Sequence, residues 1–180
     1  ALIGSSSAIA ATGFLISLDA PKMGFWALPD FAVPLMLTQF TPAHLALIDL
    51  QKGQSFEMVT EREAEMASQM GPAWTLASPD GHVIGCGGFV ITDPERAIGW
   101  AYIAQDAGKK MLCLVRMMKS MIQEAPWNRV DFLVHDEFPQ AHRMAKLLGS
   151  TRTGGITVNS RDGTTRHYSV YSRGSGNGWH

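Results

Sequence analysis

The 180-residue sequence predicts an α/β (α+β) domain in which helices flank a mixed, mostly antiparallel sheet, preceded by a hydrophobic N-terminal arm. Three observations predict it. One amphipathic helix joins two apolar strands near the middle of the chain, which is typical of a βαβ unit. Hairpin patterns on either side of that unit predict antiparallel pairing. The composition also changes along the chain, which predicts an arm at 1–39, a domain at 40–173 and a flexible, glycine-rich tail at 174–180.

The arm is rich in apolar residues, and its first part, 1–18, contains no charged side chain. That length reaches the lower limit for a membrane span. Gly and Ser residues dilute the stretch, however, and no Lys or Arg precedes it as in a signal peptide. We therefore expect the arm to pack on this domain or on a neighbouring subunit, because so much apolar surface usually marks an interface. A flexible tail and membrane contact of residues 1–18 are the alternatives.

Two helix starts are predicted where the domain begins. Thr41 can cap a helix that has Pro42 at its first position. Thr60 and Glu63 have the spacing of a capping box, and the next helix ends before Gly71-Pro72. The acidic side chains of this region predict a solvated face, with an acidic wall for an amine substrate as the alternative. They are Glu57, Glu61, Glu63 and Glu65.

Alternating apolar residues on either side of Pro79-Asp80-Gly81 predict a first hairpin over residues 73–91. Three glycines weaken its second strand and predict either a β-bulge or a close approach of ligand to backbone. They are Gly85, Gly87 and Gly88.

The central unit is strand 98–103, a helix over about 109–125, strand 130–134 and a short basic helix that ends at Leu147-Leu148-Gly149. Apolar residues recur at three- and four-residue spacing in the first helix, which indicates a buried face. A last hairpin over residues 155–173 is predicted to turn at Arg161-Asp162-Gly163.

Charge and cysteine content limit the classes of function. The net charge is −1 with 17% charged residues, so nucleic acid is not expected as a partner. Cys86 and Cys113 are interpreted as reduced core thiols, with a disulfide or a nucleophilic cysteine as alternatives. No metal-ligand spacing is present among the Cys and His residues.

Two residues are weak candidates for proton transfer. His135 follows the second core strand, where the sheet would open towards a ligand, although hydrogen bonding at the strand end is the simpler role. Glu95 lies just before the central strand and would need to approach an amine substrate to act as general base.

The hairpin and the central unit together resemble the GCN5-related N-acetyltransferase (GNAT) family between about Phe40 and Arg173. In that family a loop of pattern Q/R-x-x-G-x-G/A precedes a helix and binds the acetyl-CoA pyrophosphate. Residues 105–110 resemble this loop, except that Lys110 replaces the last small residue. Two further family residues, an Asn that contacts the cofactor and a Tyr that acts as general acid, are replaced near Phe138 and at Ala145. The resemblance implies that acetyl-CoA, if bound, contacts Trp100, Tyr102, Ile103, Gln105, Ala107, Gly108, Lys109 and Lys110.

Short strings at residues 40–44, 127–128 and 161–163 also resemble the small GNAT-like virion or morphogenesis proteins of short-tailed podophages. Together with the altered loop, this resemblance implies a non-enzymatic virion component or assembly factor that needs no cofactor. Such a protein would act in the virion or the host cytoplasm, binding other virion or assembly proteins, or a second copy of itself, through its arm. The alternative is an acetyl-CoA-dependent N-acetyltransferase of a small amine or protein amine, and a third reading keeps acetyl-CoA as a structural ligand.

Overall fold

The computed structural model describes residues 35–54, 60–159 and 163–174. This part of the chain forms one seven-stranded sheet and three α-helices, which confirms the predicted fold class. The strands are β1 (Met36–Gln39), β2 (Ala73–Ala77), β3 (Val83–Asp93), β4 (Arg96–Ile103), β5 (Arg129–His135), β6 (Thr151–Asn159) and β7 (Thr165–Gly174). The helices are α1 (Glu61–Gln69), α2 (Met111–Glu124) and α3 (Pro139–Leu147), with short 3-10 helices at Pro42–Leu47 and Gly108–Lys110.

The strands lie in the order β1-β2-β3-β4-β5-β7-β6. All neighbours are antiparallel except β4 and β5, which are parallel and joined through α2. A crossover helix is what a parallel pair requires, because a tight turn cannot reverse the chain direction twice.

The parallel pair separates partway along its length, and this splay positions the site described below. Pairing between β4 and β5 runs from Arg96–Arg129 to Gly99–Phe132. Beyond that point β4 still pairs with β3 as far as Ile103, and β5 still pairs with β7 as far as His135. The two strands therefore diverge after Gly99, and the edge of β4 that faced β5 has no strand beside it.

Hydrophobic residues fill both faces of the sheet. On one face α2 and Trp127 pack on β3, β4 and β5, with Ile84, Ile122 and Val130 fully buried. On the other face Phe40, Ile48 and Ala64 pack against Cys86 and the aromatic side chains of β4, namely Trp100 and Tyr102. Alternate residues of β4 thus serve different cores, as the period of a strand requires.

The predicted capping box is confirmed at the start of α1. The backbone N–H of Glu63 donates to Thr60 Oγ1 over 3.3 Å, and the Glu63 carboxylate accepts from the Thr60 backbone N–H over 2.9 Å. The Thr41-Pro42 start proves weaker than predicted, because Pro42–Leu47 forms a 3-10 helix with no fully buried residue instead of an α-helix.

At the sheet one expectation changes and another is confirmed. β1 pairs with β2 and Leu35 is buried, so the domain begins before Phe40, the residue at which the sequence predicted its start. The glycine-rich strand contains an irregularity: Leu76 pairs with Gly85 and Ala77 with Val83, which leaves Ile84 as the extra residue of a bulge. The close approach at Gly87 is to protein backbone, since a methyl group there would lie 2.7 Å from the Trp100 carbonyl oxygen.

Residues 1–34 and the turn residues Arg161 and Asp162 lie outside the described part of the chain, as does Glu57. Within the described residues, no helix is long and apolar enough to span a membrane.

Candidate functional site

A cavity of about 790 Å³ lies at the splay between β4 and β5. Its lining includes consecutive residues of β4 from Ile98 to Ile103 and the β5 residues Phe132, Leu133 and Val134. The cavity lies where β4 and β5 stop pairing, so that no backbone of β5 lies beside the end of β4.

The two faces of the sheet contribute different chemistry to the lining. Helices α2 and α3 contribute apolar side chains, among them Met111, Met118, Ala141 and Met144. The opposite face contributes polar and aromatic side chains. They include Gln51, Gln54, Glu63, Trp100, Tyr102, Arg166 and Tyr168. One half of the cavity therefore suits an apolar chain, and the other half suits a polar substrate.

The residues predicted from the family resemblance divide into two groups. Trp100, Tyr102 and Ile103 line the cavity. Gln105, Ala107, Gly108 and Lys110 form the connection from β4 to α2, and Met111, which follows them, reaches the cavity lining. The side chain of Lys109 lies outside the described part.

The connection before α2 has mixed electrostatics. Gly108 adopts φ +46°, a left-handed conformation that favours glycine, and the Lys110 N–H donates to the Ala107 carbonyl over 2.8 Å. The positive end of the α2 dipole and the charge of Lys110 favour an anion here. The exposed carboxylate of Asp106 disfavours an anion at this position. One of its oxygens lies 3.0 Å from His82 Nε2.

Phe138 and Ala145 stand where the family resemblance places its cofactor-binding Asn and its acidic Tyr. Both are buried and both line the cavity. Neither side chain can donate or accept a proton, so the predicted loss of two family groups falls within the site.

The two weak candidates for proton transfer lie elsewhere. Glu95 is exposed in the turn before β4, at the end of that strand opposite to the splay. His135 ends β5 and contacts Tyr168 edge-on, with ring centroids 5.4 Å apart, and its Nδ1 accepts from the backbone N–H of Glu137. His135 thus forms a hydrogen bond at the end of its strand, which was the simpler of the two roles considered from the sequence.

The sequence analysis named Glu63 in a capping box and in the alternative of an acidic wall for an amine substrate, and it named Trp100 as a contact of acetyl-CoA. It did not predict the surroundings of either side chain. Glu63 is the one carboxylate that lines it among the described residues, whereas Glu61 and Glu65, its companions in the acidic run, are exposed. The indole N–H of Trp100 is buried without a hydrogen-bond partner in the described part of the chain. Trp100 and Tyr102, both predicted from the resemblance, lie on the same face of β4.

Both cysteines are buried free thiols, as predicted. Burial raises the pKa of Cys86 to about 12 and raises that of Cys113. We expect a disulfide-exchange reagent at pH 8 to label neither thiol in the native protein and both after unfolding in denaturant, because the thiolate is the reactive form. Stoichiometric labelling of native protein would instead restore a nucleophilic cysteine as a hypothesis.

Comparison with known proteins identifies the fold. No family model matches the chain, and no curated protein matches its sequence. A protein described as a candidate phosphinothricin N-acetyltransferase matches with a TM-score of 0.64 and 15% identity, over 79% of this chain and 99% of that one. The GNAT-superfamily phosphinothricin acetyltransferase of Sinorhizobium meliloti, in complex with AcCoA, matches with a TM-score of 0.59 and 16% identity. The match covers 79% of this chain and 89% of that one. Spermidine/spermine N-acetyltransferase of Vibrio cholerae matches with a TM-score of 0.58 and 15% identity, over 78% of this chain and 92% of that one.

At these identities the likeness shows the fold, and the chain has the GNAT fold that the sequence predicted. The neighbours named here are acetyltransferases, so the virion or assembly role stays a prediction.

Proposed function

We propose that the protein is an acetyl-CoA-dependent N-acetyltransferase of a small amine. The observation that carries this proposal is the cavity at the splay, which joins an apolar half between α2 and α3 to a polar half on the other face. The arm that carries the thioester and the amine acceptor need different surroundings, and they must meet where the acetyl group is transferred. A cavity with an apolar half and a polar half that adjoin each other meets both requirements. Fold likeness alone would not support an activity.

The residues present fit the cofactor at two places. Beyond Gly99 the edge of β4 carries the Ala101 carbonyl and the Ile103 N–H, which are groups that can bind an amide. In this structure the Gln54 side chain makes a hydrogen bond to each of them. The start of α2 and Lys110 offer positive charge to phosphates. Acetyl-CoA would supply the acetyl group as a reactive thioester.

The polar half of the cavity supplies the groups for the acceptor. Glu63 lines this half, and its carboxylate also accepts from the Thr60 backbone N–H at the start of α1. We propose that this carboxylate receives a proton from an ammonium group, directly or through water. Ala145 cannot return a proton to the leaving thiolate, so we propose that water does so. The phosphinothricin and spermidine of the neighbours' names are amines, which agrees with an amine acceptor here.

Calorimetric titration with acetyl-CoA tests the proposal, and a charge reversal sharpens it. We expect micromolar binding by the native protein, about −8 kcal/mol. Lys110→Glu should weaken it by about 2 kcal/mol, roughly thirtyfold, because the change places a negative charge beside the phosphates at the helix start.

Lys119→Glu is the matched control, since it makes the same charge change nine residues further along α2. At about 1.5 Å per residue this position lies about 13 Å from the helix start, beyond the first turn. Equal weakening by both variants would show that net charge, and not the loop, is responsible. No binding at millimolar acetyl-CoA would contradict the proposed activity.

A further inference from the structure

The turn at residues 51–54 enters the gap where β4 leaves β5. Leu50 forms an antiparallel bridge with Ala104, and the Gln105 N–H donates to the Asp49 carbonyl over 2.7 Å. The chain then turns, with the Gln54 N–H bonded to the Gln51 carbonyl over 2.7 Å. This short segment therefore follows the end of β4 and presents Gln54 to the free edge of that strand.

The Gln54 side chain occupies that edge. Its Nε2 donates to the Ala101 carbonyl and its Oε1 accepts from the Ile103 N–H, each over 2.9 Å. Gln54 as a whole residue is 8% exposed. In a parallel sheet, one residue of the neighbouring strand makes these same two bonds, to a carbonyl and an N–H two residues apart. The amide of Gln54 thus replaces the part of β5 that the splay removes.

The turn is also packed against the far side of the gap. A methyl group on Gly53 would lie 2.2 Å from a ring carbon of Phe138, which precedes α3. Only a residue without a side chain fits between the turn and this ring. Gly53 and Phe138 together bring the Gln54 amide into the gap between β4 and β5.

We infer that the side-chain amide of Gln54 makes the hydrogen bonds that an amide of an acyl-carrying ligand would make. Acetyl-CoA therefore binds the β4 edge only after the Gln54 side chain leaves it. The inference rests on the proposed function, and it adds a residue that sets the affinity. A pantetheine arm carries secondary amides, and an amide offers the same acceptor and donor that Gln54 offers now. The exchange conserves the hydrogen bonds of Ala101 and Ile103, so neither backbone group is left unsatisfied.

The consequence is a reduced apparent affinity in the native protein. When the binding-competent state is only a fraction of the population, the apparent dissociation constant rises by the inverse of that fraction. Removing the Gln54 amide abolishes the competition. Two neutral hydrogen bonds of ordinary strength correspond to a change of about tenfold in the apparent dissociation constant for acetyl-CoA.

The test is calorimetric titration of the native protein and of Gln54→Ala with two probes, acetyl-CoA and adenosine 3′,5′-bisphosphate. The second probe lacks the pantetheine arm and does not need the β4 edge. We expect Gln54→Ala to bind acetyl-CoA about tenfold more tightly and the bisphosphate with unchanged affinity. Gln123→Ala, which alters an exposed glutamine on α2, is the matched control and should bind both probes like the native protein.

The outcomes separate the two proposals. Equal or weaker acetyl-CoA binding by Gln54→Ala would overturn the inference and leave the proposed activity standing. No acetyl-CoA binding by either protein would overturn both.

A measurement on the native protein covers the case in which Gln54→Ala fails to fold. We expect the side-chain NH₂ resonances of Gln54 to shift to solvent-exposed values at saturating acetyl-CoA, while the Ile103 amide stays protected from exchange. Unchanged Gln54 resonances at saturation would overturn the inference.

Discussion

Trp127→Ala is expected to lower the free energy of unfolding by about 4 kcal/mol, the range for a fully buried large side chain. Trp127 is 1% exposed and contacts Phe89, with ring centroids 5.1 Å apart. It lies between α2 and β5, so it fixes the crossover on the sheet. Loss of this packing leaves a cavity beneath the one connection that holds β4 and β5 parallel.

Two further variants separate packing from hydrogen bonding in this prediction. The indole N–H of Trp127 has no hydrogen-bond partner in the described part of the chain, so Trp127→Phe should cost only about 1 kcal/mol. Leu112→Ala, at a side chain of α2 that is 55% exposed, should change stability by less than about 0.5 kcal/mol. Chemical denaturation measures all three. A loss of under about 2 kcal/mol for Trp127→Ala would show that the crossover does not depend on this residue.

Local patterns predicted the parts of the fold that depend on local contacts. The spacing of apolar residues predicted α2, and the Thr60 and Glu63 pair predicted the start of α1. The sequence Pro79-Asp80-Gly81 predicted the first hairpin turn, where Gly81 adopts φ +85° in the structure. Each of these signals lies within a few residues of the structure that it specifies. The 3-10 helix after Thr41 was less predictable, because a cap and a proline specify where a helix begins and not how tightly it winds.

Features that depend on distant residues escaped prediction. β1 is a four-residue strand whose pairing with β2 joins residues that lie between 35 (Gln39 and Trp74) and 41 (Met36 and Ala77) positions apart. The role of Gln54 depends on β4, 47 and 49 residues later in the chain. No local spacing connects these positions, so only the folded sheet shows that one glutamine occupies the edge left free by the splay.

The altered cofactor residues and the Gln54 contact concern the same part of the molecule. The resemblance predicted that the family's cofactor-binding Asn is replaced near Phe138. In the structure the Phe138 ring lies against Gly53, in the turn that carries Gln54. The predicted loss of a polar contact and the packing of the Gln54 turn therefore concern the same residue. We interpret the pair as a site in which the protein's own amide competes with the ligand.

Asp131→Asn is expected to lower the free energy of unfolding by about 3 kcal/mol at pH 7. Asp131 is 1% exposed, and its carboxylate accepts from Arg96 Nε over 2.6 Å, from Arg129 Nε over 2.7 Å and from Ser172 Oγ over 2.5 Å. Breaking a buried ion pair costs about 3 to 5 kcal/mol, and the lower figure applies because both arginine side chains are nearly half exposed.

The pH dependence gives a second, independent test of Asp131. Burial raises the pKa of this carboxyl, but the hydrogen bonds from Ser172, Arg129 and Arg96 outweigh burial and hold the pKa below its usual value of 3.8. A carboxyl with a lowered pKa stabilises the folded state above its unfolded pKa, and it loses that contribution as the pH falls through the folded pKa. The stability gap between the native protein and Asp131→Asn should therefore be constant from pH 8 to about pH 5 and narrow below about pH 4. Denaturation curves at pH 7, 5 and 3 measure it, with Glu124→Gln as an exposed control. A gap that persists undiminished at pH 3 would show that the charge of Asp131 does not stabilise the junction of β4, β5 and β7.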